Sequence, residues 1–204
     1  MKQSKTLIAG LGNPGQKYNN TWHNLGRLSI KACQENLGFP KFLLERKFNS
    51  LVSKGVFNDE EIILALPETF MNKSGQALKK ILSYYKINKF DSGEIKTANL
   101  IVVHDDADLE KGELRISKDR GTAGHKGLDS IVGNIKTKDF TRIRLGVRPK
   151  NYIPGSKSLN RFVLKKFTKT EEKIVAEVIK KTNEAIKMIL EEDIDKAMNK
   201  YNNH

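Results

Sequence analysis

The stretch Gly10 to Gly26, GLGNPGQKYNNTWHNLG, constrains this chain more than any other, because it sets glycines, side-chain amides and a histidine between two apolar segments. Thr6 to Ala9 is a short apolar run that suits a buried strand, and the glycines after it let the backbone turn tightly and expose its amides. Thr21 is placed to cap a helix whose apolar positions are Leu25, Leu28, Cys33 and Leu37. His23 then falls in the first turn, near exposed backbone N–H groups. Gly10, Gly12 and Gly15 also spell the glycine pattern of a dinucleotide-binding turn, in which the helix begins within the glycines and an acid closes a second strand about 20 residues on. Here Pro14 and the polar segment Gln16 to Asn20 delay the helix, and Glu35 falls inside it, so the pattern argues against a nucleotide.

With 204 residues, 38% of them hydrophobic, the chain can bury one substantial core, and no Ser/Gly/Pro-rich linker divides it. A single domain over residues 1–204 is expected, with a core to about residue 191 and a short terminal helix and tail at 192–204. The lone Cys33, on the core-facing side of its helix, excludes an internal disulfide framework and reads as packing. The apolar run in MKQSKTLIAG is too short for a signal peptide or a membrane span, so a soluble cytoplasmic protein is expected.

The net charge of +13 is unevenly spread: residues 1–109 contribute +4, residues 110–169 contribute +11 and residues 170–204 contribute −2. Six of the eight arginines (Arg115, Arg120, Arg142, Arg144, Arg148, Arg161) lie in the middle block, a concentration that points to phosphate and hence to nucleic acid. The absence of a basic amphipathic helix argues against an anionic membrane surface.

Further along, Phe48 to Phe57 and Ile62 to Leu66 read as two strands around a turn at Asn58 to Glu61. In the loop PETFMNKSG, Asn72 or Ser74 caps a helix to about Lys86 with Ala77, Leu78, Ile81, Leu82 and Tyr85 inward. Phe70 and Met71 either anchor the start of that helix or line an apolar subsite beside the Asn72 amide. Leu100 to Val103 reads as a central strand that delivers His104, Asp105, Asp106 and Asp108 to its C-terminal end, where ligands gather in open α/β sheets. Three carboxylates and a histidine suit a metal, yet neighbouring residues on a strand point to opposite faces and no second ligand cluster completes a shell. One carboxylate is better used to orient a histidine and favour its protonated form.

Leu114 to Ser117 is another strand, and a glycine-rich basic loop leads to a helix at Leu128 to Ile135. Phe140 to Val147 alternates Phe140, Arg142, Arg144 and Gly146 with Thr141, Ile143, Leu145 and Val147, giving one cationic face, either a phosphate platform or an edge strand guarded by charge. The charge around it favours the platform. Residues 150–160 read as an irregular loop, Thr170 as the cap of a long amphipathic helix (Ile174, Val178, Ile179, Ala185, Ile186, Ile189 and Leu190 inward), Asp193 as the start of a last short helix, and Tyr201 to His204 as a frayed tail.

Taken together, GLGNPGQKYNNTWHN, PETFMNKSG, HDDADL, GTAGHKGLDSI, FTRIRLGVRP and FVLKKF are similar, in order and spacing, to the motifs of bacterial peptidyl-tRNA hydrolases, along nearly the whole chain. The resemblance implies a monomeric α/β fold around a mixed, mainly parallel twisted sheet flanked by helices. It also implies hydrolysis of the ester between a peptide and the 3′ ribose of tRNA, with no cofactor, no metal and no obligate protein partner. By motif, His23 is the general base, Asp105 its orienting carboxylate, and Asn13 the residue that separates peptidyl-tRNA from free aminoacyl-tRNA. Tyr18, Phe70, Met71 and Asn72 are substrate contacts, with Asn72 suited to hold a carbonyl. Arg144, with Arg142, Arg115 and Lys118, forms the candidate tRNA phosphate clamp. The residues are consistent with that chemistry, since an ester needs only an activated water, a polarised carbonyl and positioning. No serine sits in a nucleophile elbow, so hydrolysis by a His and Asp pair is the economical reading.

Two positions depart from the family. Lys126 stands where an asparagine is usual; it only donates and carries a full charge, so it either impairs catalysis or pairs with a terminal phosphate or an oxyanion. Trp22 stands where a basic residue is common and either stacks on a base or packs. An RNA-binding protein that has lost the activity is the rival reading, supported only by Lys126.

Overall fold

Period-two alternation along four buried strands divides the core of this chain into two layers, one on each face of a sheet. A computed structural model describes residues 4–87, 97–148 and 161–202. Among these, β1 (Lys5–Gly10), β4 (Glu60–Pro67), β5 (Thr97–Glu110) and β7 (Phe140–Arg148) run parallel at the centre of a seven-stranded sheet. β2 (Leu43–Glu45) and β3 (Ser50–Phe57) extend one side antiparallel, β6 (Leu114–Ser117) the other, in the order β2-β3-β4-β1-β5-β7-β6. The expected α/β fold with a mixed, mainly parallel sheet is found.

On one face Ile8, Leu64, Ile101, Val103, Ile143 and Leu145 pack under α1 (Leu25–Asn36) and α4 (Lys169–Glu191). On the other, Leu7, Ala9, Ile63, Ala65, Leu100 and Val102 pack under α2 (Ser74–Tyr85) and α3 (Lys126–Ile135). Coverage on both faces explains the unbroken apolar runs that mark these strands in the sequence.

The glycines after β1 serve close approach more than turning. A Cβ on Gly26 would lie 2.2 Å from Val103 O, and one on Gly10 would lie 2.6 Å from Gly26 O, so their absence lets α1 sit directly on β1 and β5. In this stretch only Gly15, at φ 97°, occupies a conformation that glycine alone adopts readily.

Several local expectations are corrected. Thr21 does not cap α1: its hydroxyl donates to Tyr18 O, and a 3-10 turn, Trp22–Asn24, precedes the helix. β5 continues through the acidic residues and ends only at Glu110, with a register irregularity after Asp106. α4 is capped by Thr168 and not Thr170: the Thr168 backbone N–H donates to Glu171 Oε2, and the helix buries Val175 while Ile174 stays exposed. The C-terminus is fastened through α5 (Ile194–Asn202): Asn202 accepts from Ile116 N and donates to Ile116 O, both at 2.9 Å, closing the outer edge of β6. The loop expected at 150–160 lies outside the described residues.

Candidate active site

β1 ends at Gly10 and the chain climbs over the edge of the sheet, where two other segments fix it. Asn24 accepts from Asn13 N at 2.8 Å and donates to Asn13 O at 2.9 Å, pinning the loop to the turn that carries His23. From the far side, His23 N donates to Val163 O at 2.8 Å and Phe167 N to Asn20 O at 2.9 Å, so the FVLKKF segment braces the same turn. Trp22 is buried between Phe162 and Phe167, with their centroids 6.2 and 4.8 Å away. It packs and is not available to a base.

His23 Nδ1 stands 2.9 and 3.0 Å from the two oxygens of Asp105, which β5 presents at the same edge. A second histidine shares the carboxylate: His125 Nε2 lies 3.1 Å from Asp105 Oδ1. His125 Nδ1 accepts from Gly127 N and Leu128 N, capping α3, so its hydrogen is on Nε2 and is donated to Asp105. Burial alone would raise the Asp105 pKa, but His23 and His125 outweigh it and hold the carboxyl below the usual range. Burial opposes charge on His125, whereas Asp105 carries its pKa above the ordinary imidazole value; a proton taken at Nδ1 would cost α3 its cap.

The other acidic residues do not share the Asp105 hydrogen bonds. Asp106 pairs with Arg144, and His104 is buried with Nδ1 donating to Asp105 O at 2.8 Å and Nε2 without a partner among the described residues. His23, Asp105 and His125 place ligand-type atoms within 4.8 Å of one another. The hydrogen on His125 Nε2 is needed by Asp105, which makes the cluster a hydrogen-bonded pair of imidazoles on one carboxylate and not a ready ligand set.

Two cavities meet at His23. One is lined by Asp105, Asp106, Asp108, Gly124 and His125, the other by Asn13, Phe70, Met71, Asn72 and Leu164; His23, Lys126 and Val163 line both. Asn13 is buried and its Oδ1 accepts from Met71 N at 2.9 Å, so its Nδ2 is the group left for the cavity. Met71 is buried, while Phe70 is 55% and Leu164 43% exposed at the rim. Asn72 is exposed, and Lys126 is the exposed first residue of α3. Tyr18, half-buried under Lys17, lines neither cavity.

The sequence reading of a cationic face on β7 is overturned. β7 lies between β5 and β6, so it is no edge, and both faces are covered. Arg144 Nε donates to Asp106 at 2.7 Å; Arg142 donates to Gly121 O at 2.8 Å and lies over the Phe140 ring. Burial pulls the Arg142 pKa down to about 10. Arg115 is half-buried and donates to Asn202 O, and of the four expected phosphate ligands only Lys118 is exposed. His125, the second partner of Asp105, is the site residue that the sequence alone does not single out; the available signal is a histidine directly before a helix start, in the N-cap position.

Residues 7–204 match the family model for peptidyl-tRNA hydrolase. The peptidyl-tRNA hydrolase of Caldanaerobacter subterraneus subsp. tengcongensis is 40% identical over 196 residues, covering 96% of this chain and 98% of the relative. That of Clostridium tetani is 37% identical over 198 residues, covering 97% of each. The crystal structure of peptidyl-tRNA hydrolase from Acinetobacter baumannii superposes with a TM-score of 0.86 at 29% identity, covering 100% of this chain and 98% of that one. With sequence, fold and motif order in agreement over the whole length, the chain belongs to the peptidyl-tRNA hydrolase family.

Proposed function

We propose that this protein hydrolyses the ester that joins a peptide to the 3′ ribose of tRNA, with His23 as general base. The observation that carries this reading is the His23 to Asp105 contact at the mouth of two cavities. With Nδ1 committed to Asp105, the Nε2 lone pair is the one able to take a proton from water. The oxygen of that water bonds to the ester carbon, the tetrahedral intermediate expels the 3′ oxygen, and the imidazolium returns its proton to that oxygen. Asp105, kept ionised by its two histidines, stabilises the imidazolium throughout. No cofactor or metal is required by these steps.

Asn13 supports selectivity. Its free Nδ2 donates, so it welcomes a peptide carbonyl and has nothing to offer the α-ammonium of an unblocked aminoacyl-tRNA. Asn72 and Lys126 are the remaining donors at the cavities and serve the ester carbonyl and its developing charge. Phe70 and Leu164 flank the apolar mouth, suited to a side chain or a base. Tyr18 and Lys118 are substrate contacts farther from the reacting bond. An RNA binder without activity is not favoured, since the base and its carboxylate are intact. We further propose a cytoplasmic monomer without an obligate protein partner; no helix among the described residues is long and apolar enough to cross a membrane.

Release of the amino acid from N-acetylated aminoacyl-tRNA, with the unblocked form as control, tests the proposal. Selective cleavage of the acetylated form is expected. Equal rates on both, or cleavage of neither, would overturn it.

A further inference from the structure

The exposed side of α2 carries an arrangement that the hydrolytic site does not use. Gln76, Lys79, Lys80 and Ser83 recur at helical spacing on one face, and with Lys47, Phe48 and Tyr84 they border a shallow groove between α2 and the turn Arg46–Phe48. We propose that this groove is a second contact surface for RNA, holding sugar and phosphate of tRNA away from the reacting end; it rests on the reading of tRNA as part of the substrate.

Charge is the first argument. α2 contains no acidic residue, no carboxylate lines the groove, and neither Lys79 nor Lys80 has an ion-pair partner among the described residues. A solvated helix in this protein mixes its charges: α4 carries Glu172, Glu177, Glu184 and Glu191 among its lysines and pairs Lys181 with Glu177 and Lys187 with Glu191. Lys47, across the groove, pairs with Glu45 at 3.6 Å, which leaves the adjacent Lys79 and Lys80 as the cations whose mutual repulsion an anion in the groove would relieve.

The aromatic wall is the second. Tyr84 is 58% exposed, yet it is held by Phe48 and Tyr85 at centroid distances of 5.2 and 5.1 Å, with Lys47 Nζ 4.0 Å from its ring centroid. An exposed, braced ring beside lysines and amides fits ribose and base better than an acidic peptide, which needs the cations alone.

Position is the third. The turn Met71–Lys73 carries Asn72 at the cavity and runs directly into α2, which connects the site to the groove over about 18 Å along the helix axis from Asn72 to Tyr84. Burial of Arg142 and Arg144 removes two cations expected to hold phosphate, so exposed lysines elsewhere must carry that load.

The test is the double substitution Lys79→Glu and Lys80→Glu in the full chain, with binding of uncharged tRNA followed between about 50 and 200 mM salt. A weakening of about tenfold or more, and a salt slope shallower by about two, is expected. Hydrolysis of N-acetyl-aminoacyl-tRNA should show a raised KM at unchanged kcat, and an N-acetyl-aminoacyl ester of adenosine should be cleaved as by wild type. Tyr84→Leu should weaken tRNA binding without changing the slope. Unchanged tRNA affinity and slope in the folded double variant would overturn the proposal, as would a groove that an acidic peptide occupies and tRNA does not. If wild type cleaves neither ester, the hydrolase reading fails while the tRNA-binding arm still decides the groove.

Discussion

Arg144 Nε donates to Asp106 Oδ2 at 2.7 Å, and both side chains are buried between strands of the sheet. Burial would raise the Asp106 pKa, but Arg144 and His104 bring it below the ordinary carboxylate value. Arg144→Ala therefore leaves the buried Asp106 carboxylate without its guanidinium and should cost about 3–5 kcal/mol in chemical denaturation. Lys118→Ala, at an exposed position, should stay within about 0.5 kcal/mol. An Arg144→Ala protein as stable as wild type but poor in tRNA binding would instead restore the phosphate-clamp reading of this residue.

Asn13 allows a substitution that exchanges the cavity-facing donor for an acceptor in place. In Asn13→Asp one oxygen still accepts from Met71 N, and the other replaces the cavity-facing donor with an acceptor. The new carboxylate sits at a buried position and should lower stability, so activity is compared on folded protein, where kcat/KM on an N-acetylated substrate should fall by about 100-fold, the scale of one oxyanion-type donor. Undiminished kcat/KM would show that Nδ2 takes no part in the reaction.

His104 makes the fold acid-sensitive. Burial, reinforced by the nearby His125, depresses its pKa to about 3, whereas an unfolded chain has an imidazole near about 6.5. The unfolded state thus binds a proton that the folded state refuses, and stability present above about pH 6.5 is lost as pH falls toward about 3, by up to about 1.4 kcal/mol per unit. Asp105 and Asp106, with depressed values, are ionised in both states at pH 5 and above and add no slope there, and the raised pKa of His125 acts in the opposite direction. Urea midpoints at about pH 7 and pH 5 should differ less in His104→Asn than in wild type. An identical difference would assign the acid sensitivity elsewhere.

Much of this architecture was legible in the chain because burial on both faces of a parallel sheet writes unbroken apolar runs, as at Leu100 to Val103. His23 and Asp105 could be paired from motifs even though 81 residues intervene between them in the sequence. What misled was strand position: alternation of arginine with apolar residues on β7 looks the same for an exposed cationic face and for an interior strand whose guanidiniums meet buried acceptors. Only the placement of β6 outside β7 separates them. His125 escaped for a related reason, since its role depends on α3 starting one residue later and on Asp105 arriving from another strand. The anchoring of Asn202 on Ile116 was not legible because it is a contact across 86 residues; Asn203 and His204 lie outside the described residues.

The most direct test is single-turnover hydrolysis of N-acetyl-aminoacyl-tRNA by wild type, His23→Ala and Asp105→Asn, with tRNA affinity measured alongside. Loss of the base should lower the rate by at least about 100-fold, and Asp105→Asn should lower it strongly while tRNA affinity is kept. A folded His23→Ala protein that turns over at the wild-type rate would contradict the account.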